Sequence, residues 1–146
     1  MNESVNVISL MIKDHRRIET LISQLEKSLD QDYERVKDAF EQLEWKLEKH
    51  LFVEEKAIFT FYEPQDISYG YNMLPTLTKE HNHILNTLGV MKRDIHNGKT
   101  PTNIKEFKQY LFNHRDFEEQ DVYPKLEDTL TDDQKETMLQ RINEIT

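Results

Sequence analysis

Four stretches of the sequence carry apolar residues at alternating steps of three and four, and each seam is broken at one level by histidine. The first runs Ile8, Met11, His15, Ile18, Ile22, Leu25, Leu29; the second Val36, Phe40, Leu43, Leu47, His50, Glu54, Ala57, Phe61. The third runs Leu74, Leu77, His81, Ile84, Leu88, Met91, Ile95; the fourth Ile104, Phe107, Leu111, His114, Glu118, Val122. Such steps lay side chains along one stripe of an α-helix, the seam of a helix that buries one face in a bundle. A strand cannot use this pattern, because its faces alternate every second residue.

Punctuation sets the ends. Helices are predicted over about residues 4–29, 33–62, 72–95, 103–123 and 131–145. Ser4 is a good N-cap for the first, and Thr102 or Asn103 for the fourth. The second is expected to stop before Pro64, with a loop over residues 63–72 that contains Gly70. Asn97-Gly98 suits a left-handed cap on the third helix, and Pro124 is expected to break or kink the fourth. Thr131, followed by Asp132 and Asp133, starts a short fifth helix that carries Met138, Leu139, Ile142 and Ile145 across one end.

Length and composition agree with an all-α single domain over residues 1–146. Three glycines and four prolines leave few turns, so the elements are long. No cysteine is present, which excludes disulfides, thiolate metal sites and a cysteine nucleophile. With 19 basic and 28 acidic residues the net charge is −9, opposite to the basic face that nucleic acid requires. No apolar run approaches the ~18 residues that span a bilayer, and no basic-then-apolar leader opens the chain. The expected location is cytoplasmic.

The two halves repeat. Asp14-His15 and Ile18 match Glu80-His81 and Ile84, while His50-x-x-x-Glu54-Glu55 matches His114-x-x-x-Glu118-Glu119. Within each half the two histidines are separated by 35 and 33 residues. Each half is therefore a helical hairpin, and two hairpins give an up-down-up-down four-helix bundle with an internal pseudo-twofold repeat. On a helix, residues four apart share a face, so each H-x-x-x-E aims an imidazole and a carboxylate at one point. His15 and His81 lie near the middle of their helices, and the antiparallel neighbours bring His50, Glu54, His114 and Glu118 to the same height.

Six polar side chains in one core layer are costly unless a hydrogen-bonded network or a metal satisfies them. Metal fits the donors better. Four imidazoles and two carboxylates suit iron or manganese more than calcium or magnesium, and they exceed the needs of one tetrahedral zinc, so two ions are implied. If both carboxylates bridge, a six-coordinate ion keeps two further positions, one of which a shared oxide or hydroxide could fill.

The pattern H15 … H50-x-x-x-E54 … H81 … H114-x-x-x-E118-E-x-x-x-Y-P resembles a hemerythrin-like domain of the HHE cation-binding type, over almost the whole chain. The resemblance implies a non-heme di-iron centre, with His15 and His50 on one iron, His81 and His114 on the other, and Glu54 and Glu118 bridging. The oxygen-carrying members have H-x-x-x-H on the third helix; here Leu85 stands four residues after His81, and a fifth histidine is not found there. A symmetric site with openings at both irons is expected instead. That favours reaction with oxygen, peroxide or nitric oxide over reversible oxygen carriage. The ferritin-like alternative needs Glu-x-x-His on two helices, and only Glu80 and His83 show that spacing.

The expected function is to bind or reduce a small oxidant, with sensing without turnover and iron storage as the other functions such a site serves. No general base stands out. His83 and His96 are read as surface residues. Asp14, Glu55, Glu80 and Glu119 are read as solvated salt-bridge partners, with orientation of the histidines as the sharper alternative and, for Glu55 and Glu119, ligation as a further one. Trp45, Phe52, Phe112, Phe117 and the tyrosines are expected to pack the core and its edges.

Overall fold

The computed structural model describes residues 6–145, and within them the chain is helical with no strand. Ser4, expected as the first N-cap, lies outside the described residues. Asn6 does that work, its side chain accepting the Ser9 N–H at 2.7 Å, and α1 runs Val7–Ser28. Asp32 caps α2 (Tyr33–Val53) in the same way through Arg35 N–H.

At Glu54 the α-helical ladder changes. A π-helical segment, π1 (Glu54–Phe59), precedes α3 (Thr60–Tyr69). The fourth seam does the same: α5 (Ile104–Phe117) passes into π2 (Glu118–Val122) and then α6 (Tyr123–Thr129). Between these hairpin arms stands α4 (Met73–His96), and α7 (Asp132–Ile145) ends the chain. Both π-segments begin at the glutamate of an H-x-x-x-E pair. A π-turn bonds residue i to i+5, so it accommodates one residue more than an α-turn.

Two expectations about ends are corrected by these turns. The second helix does not stop at Tyr62 but continues through Pro64 to Tyr69, so the connection is short and residues 63–69 are not a loop. Pro64 lacks an N–H, but it follows a turn where the ladder is already out of its i→i−4 register, so little further bonding is lost. The fourth helix likewise continues past Pro124, which follows π2 in the first turn of α6, where the ladder changes register and little bonding is lost. Burial follows the shift. Phe61, placed in the seam by strict steps, is only half-buried, while its neighbour Tyr62 is fully buried.

Gly70 (φ +70°) closes α3, and Tyr71 N–H bonds back to the Asp66 carbonyl at 3.0 Å. Asp66 is itself buried and accepts the N–H groups of Met73 and Leu74 at 3.0 and 3.2 Å. It thereby caps α4 from the preceding helix, a role that Asn72, in a left-handed conformation, does not take. Asn97-Gly98 ends α4 as expected, with Gly98 at φ +75°. Thr131 and Gln134 form a reciprocal capping box ahead of α7, the hydroxyl accepting Gln134 N–H and the amide oxygen accepting Thr131 N–H.

α1 packs on α2 and α5, and α4 packs on the same two, closing the four-helix bundle. α7 lies against π1 and α1 and covers one end. The core has two apolar clusters. One holds Val7, Met11, Tyr62, Leu77 and Leu126 together with Met138 and Ile142 of α7; the other holds Ile22, Leu25, Phe40, Leu43, Leu88 and Phe107. Between them lies a polar layer. Of the aromatics expected in the core, Tyr62 and Tyr123 are buried, whereas Trp45 is 64% and Phe52 50% exposed. Both lie on the outward face of α2, where Lys49 covers the Trp45 ring.

Candidate metal centre

The polar layer consists of His15, His50, Glu54, His81, His114 and Glu118, all buried. Each of the four bundle helices brings one imidazole, and the two glutamates come from the first residues of π1 and π2. Two donor sets overlap. His15 and His50 join Glu54 and Glu118 in one; His81 and His114 join the same glutamates in the other, with the donor atoms of each set within 4.8 Å of one another. His50 Nε2 lies 2.8 Å from Glu54 Oε1, His15 Nε2 3.0 Å and His114 Nε2 3.3 Å from Glu118 Oε1, and His81 Nε2 3.9 Å from Glu54 Oε1.

These short approaches are mostly not hydrogen bonds. His50 Nε2, His81 Nε2, His114 Nε2, Glu54 Oε1 and Glu118 Oε2 are buried with no hydrogen-bond partner among the described residues. Buried polar atoms in native proteins are nearly always satisfied, so a cluster of orphans pointing at common centres is what a cation would satisfy. The donors are nitrogen and carboxylate oxygen, a set that suits first-row transition metals.

The outer nitrogens are all engaged. His50 Nδ1 lies 3.0 Å from Asp14, His81 Nδ1 3.0 Å from Glu55, His114 Nδ1 2.6 Å from Glu80 and His15 Nδ1 2.7 Å from Glu119. An ionised carboxylate only accepts, so each Nδ1 carries the hydrogen and each Nε2 is left to face inward. The reading of these four carboxylates as solvated salt-bridge partners is therefore corrected. They orient the imidazoles, although Asp14 and Lys46, and Glu119 and Arg16, also pair at the rim. The sequence signal was an acid beside four of the six candidate ligands, His15, Glu54, His81 and Glu118. What it did not reveal is that each acid serves the histidine of a different helix.

Electrostatics in the metal-free layer follow from burial and charge. Burial lowers the His50 and His114 pKa values, but Glu54, Glu118 and the outer carboxylates outweigh it and raise both to about 10. Burial and the Glu118 charge push Glu54 up to about 7, against the pull of His50. Glu118, also penalised by burial, is held well below the usual carboxylate range by hydrogen bonds and by His114. Asp14 is penalised by burial too, yet His50 and Lys46 hold it at about 2.

The family model for the hemerythrin HHE cation-binding domain matches residues 6–126. The chain belongs to this family. Searches of curated proteins and of solved structures returned no match. As a hemerythrin HHE domain it binds a cation, and the buried His/Glu layer is where its donors converge.

Other expected residues fall where the helical register puts them. His83 is exposed and packs against the Tyr110 ring, away from the layer, and His96 is exposed. Leu85 is 40% exposed, so it has no bearing on a fifth imidazole. The seam positions one turn from His81 that do face the core are Leu77 and Ile84, and both are apolar.

One residue beside the layer was missed. The Tyr123 hydroxyl lies 3.3 Å from His15 Nε2 and donates to Glu54 Oε2 at 3.4 Å, and its ring stacks on His15. Burial and the nearby carboxylates push its phenol well above the ordinary value, so it remains a donor. Its position at the end of the second motif was visible in the sequence; its hydroxyl's direction was not.

Proposed function

We propose that this hemerythrin HHE domain is a cytoplasmic, non-heme di-iron protein that binds or reduces a small oxidant such as oxygen, peroxide or nitric oxide. The observation that carries this reading is the overlap of the two donor sets, which share Glu54 and Glu118 and differ only in their histidine pair. His15 and His50 would hold one iron and His81 and His114 the other, with both carboxylates common to the two. Iron so held supplies redox electrons and Lewis acidity.

The chain's own residues define what reaches that layer. Between α1, α2 and α5 lies a cavity of about 20 Å³, bounded by Ile18, Ile22, Leu47, Leu51, Leu111 and the rings of His15, His50 and His114. A water-sized guest needs roughly 10–15 Å³ by the same measure, so the space admits one diatomic or triatomic molecule and nothing larger without rearrangement. Glu19 and Arg115, paired with each other, border the cavity, and Arg115 lies over the Phe112 ring. The apolar walls keep bulk water from the imidazoles. The outer carboxylates hold the rings fixed, so the donors need no reorganisation when a ligand arrives.

The test is metal analysis of the purified protein with an absorption spectrum, followed by consumption assays. About two irons per chain and near-ultraviolet absorption of a bridged ferric pair are expected. Peroxide or nitric oxide consumed over many equivalents marks turnover, and consumption that stops at one equivalent marks a sensor or carrier. Protein from iron-replete cells that holds fewer than one iron per chain would contradict the reading.

A further inference from the structure

The duplicated halves place an aromatic ring at the same point on each side of the polar layer. Phe59 stands five residues after Glu54, and Tyr123 five after Glu118. Phe59 stacks on His81 with centroids 5.6 Å apart, and Tyr123 stacks on His15 at 5.7 Å. The i→i+5 bonding of the π-segments returns each ring over the layer. Between these two mates the pseudo-symmetry is broken by a single hydroxyl.

That hydroxyl is a donor with poor occupation. Tyr123 is 1% exposed, and its two polar contacts, 3.3 and 3.4 Å, are well beyond the 2.7–2.8 Å usual for O–H donors. Buried phenols ordinarily find a close partner. Glu54 is common to both donor sets, but His15 belongs to the His15/His50 set alone, and neither contact is to His81 or His114, so the hydroxyl stands at the edge of the His15/His50 position.

Resting on the two-cation reading above, we propose that Tyr123 is a specificity-determining residue of the centre. Its hydroxyl donates a hydrogen bond to a small lone-pair ligand at the His15/His50 position, and so makes the two cation positions inequivalent. A ligand carrying a nitrogen or oxygen acceptor is favoured there, while at the other position it meets the Phe59 ring.

The test uses the full chain loaded with cobalt(II), with azide as the probe ligand, so that it does not depend on iron. Tyr123→Phe recreates the pairing that Phe59 and His81 already pack. It is expected to take up as much cobalt as the wild type and to bind azide roughly 10–100-fold more weakly, the range for a hydrogen bond to a charged group. Adding Phe59→Tyr to Tyr123→Phe should return much of the lost affinity, which a merely structural role would not do. Equal azide affinity at equal cobalt content overturns the proposal, as does loss of cobalt from Tyr123→Phe. If the wild type takes up no cobalt, the two-cation reading itself falls, before any variant is compared.

Discussion

Asp14 adjoins His15 in the sequence, yet the imidazole it holds is that of His50, 3.0 Å away on the next helix. The same displacement recurs round the bundle. Glu55 of π1 holds His81 of α4, Glu80 of α4 holds His114 of α5, and Glu119 of π2 holds His15 of α1. Each long helical arm thus receives one carboxylate contact and gives one, in a closed ring around the layer. The ring couples fold to site, because no imidazole is oriented by its own helix alone. A shift of any helix along its axis would misdirect a histidine on its neighbour.

Removing one member should loosen the metal without unfolding the bundle. Asp14 is a quarter exposed, so Asp14→Ala leaves no buried orphan on its own side. It frees His50 to rotate and to choose either tautomer. The expected result is a 10–100-fold loss of metal affinity, of the order seen for outer hydrogen-bond partners of metal-bound histidines. Asp14→Asn retains an acceptor oxygen and should lose less. Competition with a chelator of known affinity measures both, and equal affinity in Asp14→Ala and the wild type would contradict the orienting role.

Metal uptake should release protons. In the metal-free protein His50 and His114 titrate near 10 and Glu54 near 7, all above their ordinary values. A raised pKa contributes stability that is complete below the unfolded value and is lost as pH rises through the folded one. For the two histidines that window is about 6.5 to 10. The metal-free protein is therefore expected to lose melting temperature across it, while the loaded protein, whose Nε2 atoms carry no proton, changes little. Affinity should rise over the same range, because a proton competes for the Nε2 of His50 and of His114. Thermal melts of both forms at pH 6, 8 and 10 check this; a constant difference between them would refute it.

The seams made the bundle legible because burial in a regular helix follows the steps of three and four. All seven seam positions of α4, one of the two arms with no π-segment, are buried. The seams failed where the helix departs from that period. A single extra residue in π1 moved the buried face from Phe61 to Tyr62, and no residue in EEKAIF announces it. Trp45 and Phe52 misled for another reason: hydrophobic type was read without the seam, and neither belongs to it. The six inward donors were legible because polar residues in an apolar seam need an explanation. Asp14, Glu55, Glu80 and Glu119 were less so, because their role depends on which helices adjoin.

Asp66 offers a stability test away from the layer. It is 2% exposed and satisfies two N–H groups at the start of α4, while its own carbonyl closes α3. Asp66→Ala leaves those donors buried and unpaired, at a cost of roughly 1–3 kcal/mol each. Asp66→Asn retains one acceptor and should cost about half as much. For a chain of this size each kcal/mol lowers the melting temperature by roughly 2–4 °C. Thermal denaturation of the metal-free forms separates this effect from metal retention, and an unchanged melting temperature for Asp66→Ala would show that the cap contributes nothing.

The register of the third long arm is decided by a pair of neighbours. His81 is fully buried and points into the layer, whereas His83, two residues on, is exposed against Tyr110. Two residues correspond to about 200° around an α-helix, so one histidine cannot replace the other without unwinding the arm. His81→Ala removes one of two imidazoles from its donor set and leaves Glu55 without its buried partner. It should abolish binding at that position and halve the metal content. His83→Ala should leave the content at the wild-type value, because the Tyr110 contact it loses lies on the surface. Glu118→Ala, which takes a shared carboxylate from both sets, should empty both positions. Metal analysis of the three variants after identical loading distinguishes these outcomes, and depletion of metal by His83→Ala would mean that α4 is rotated from the placement described.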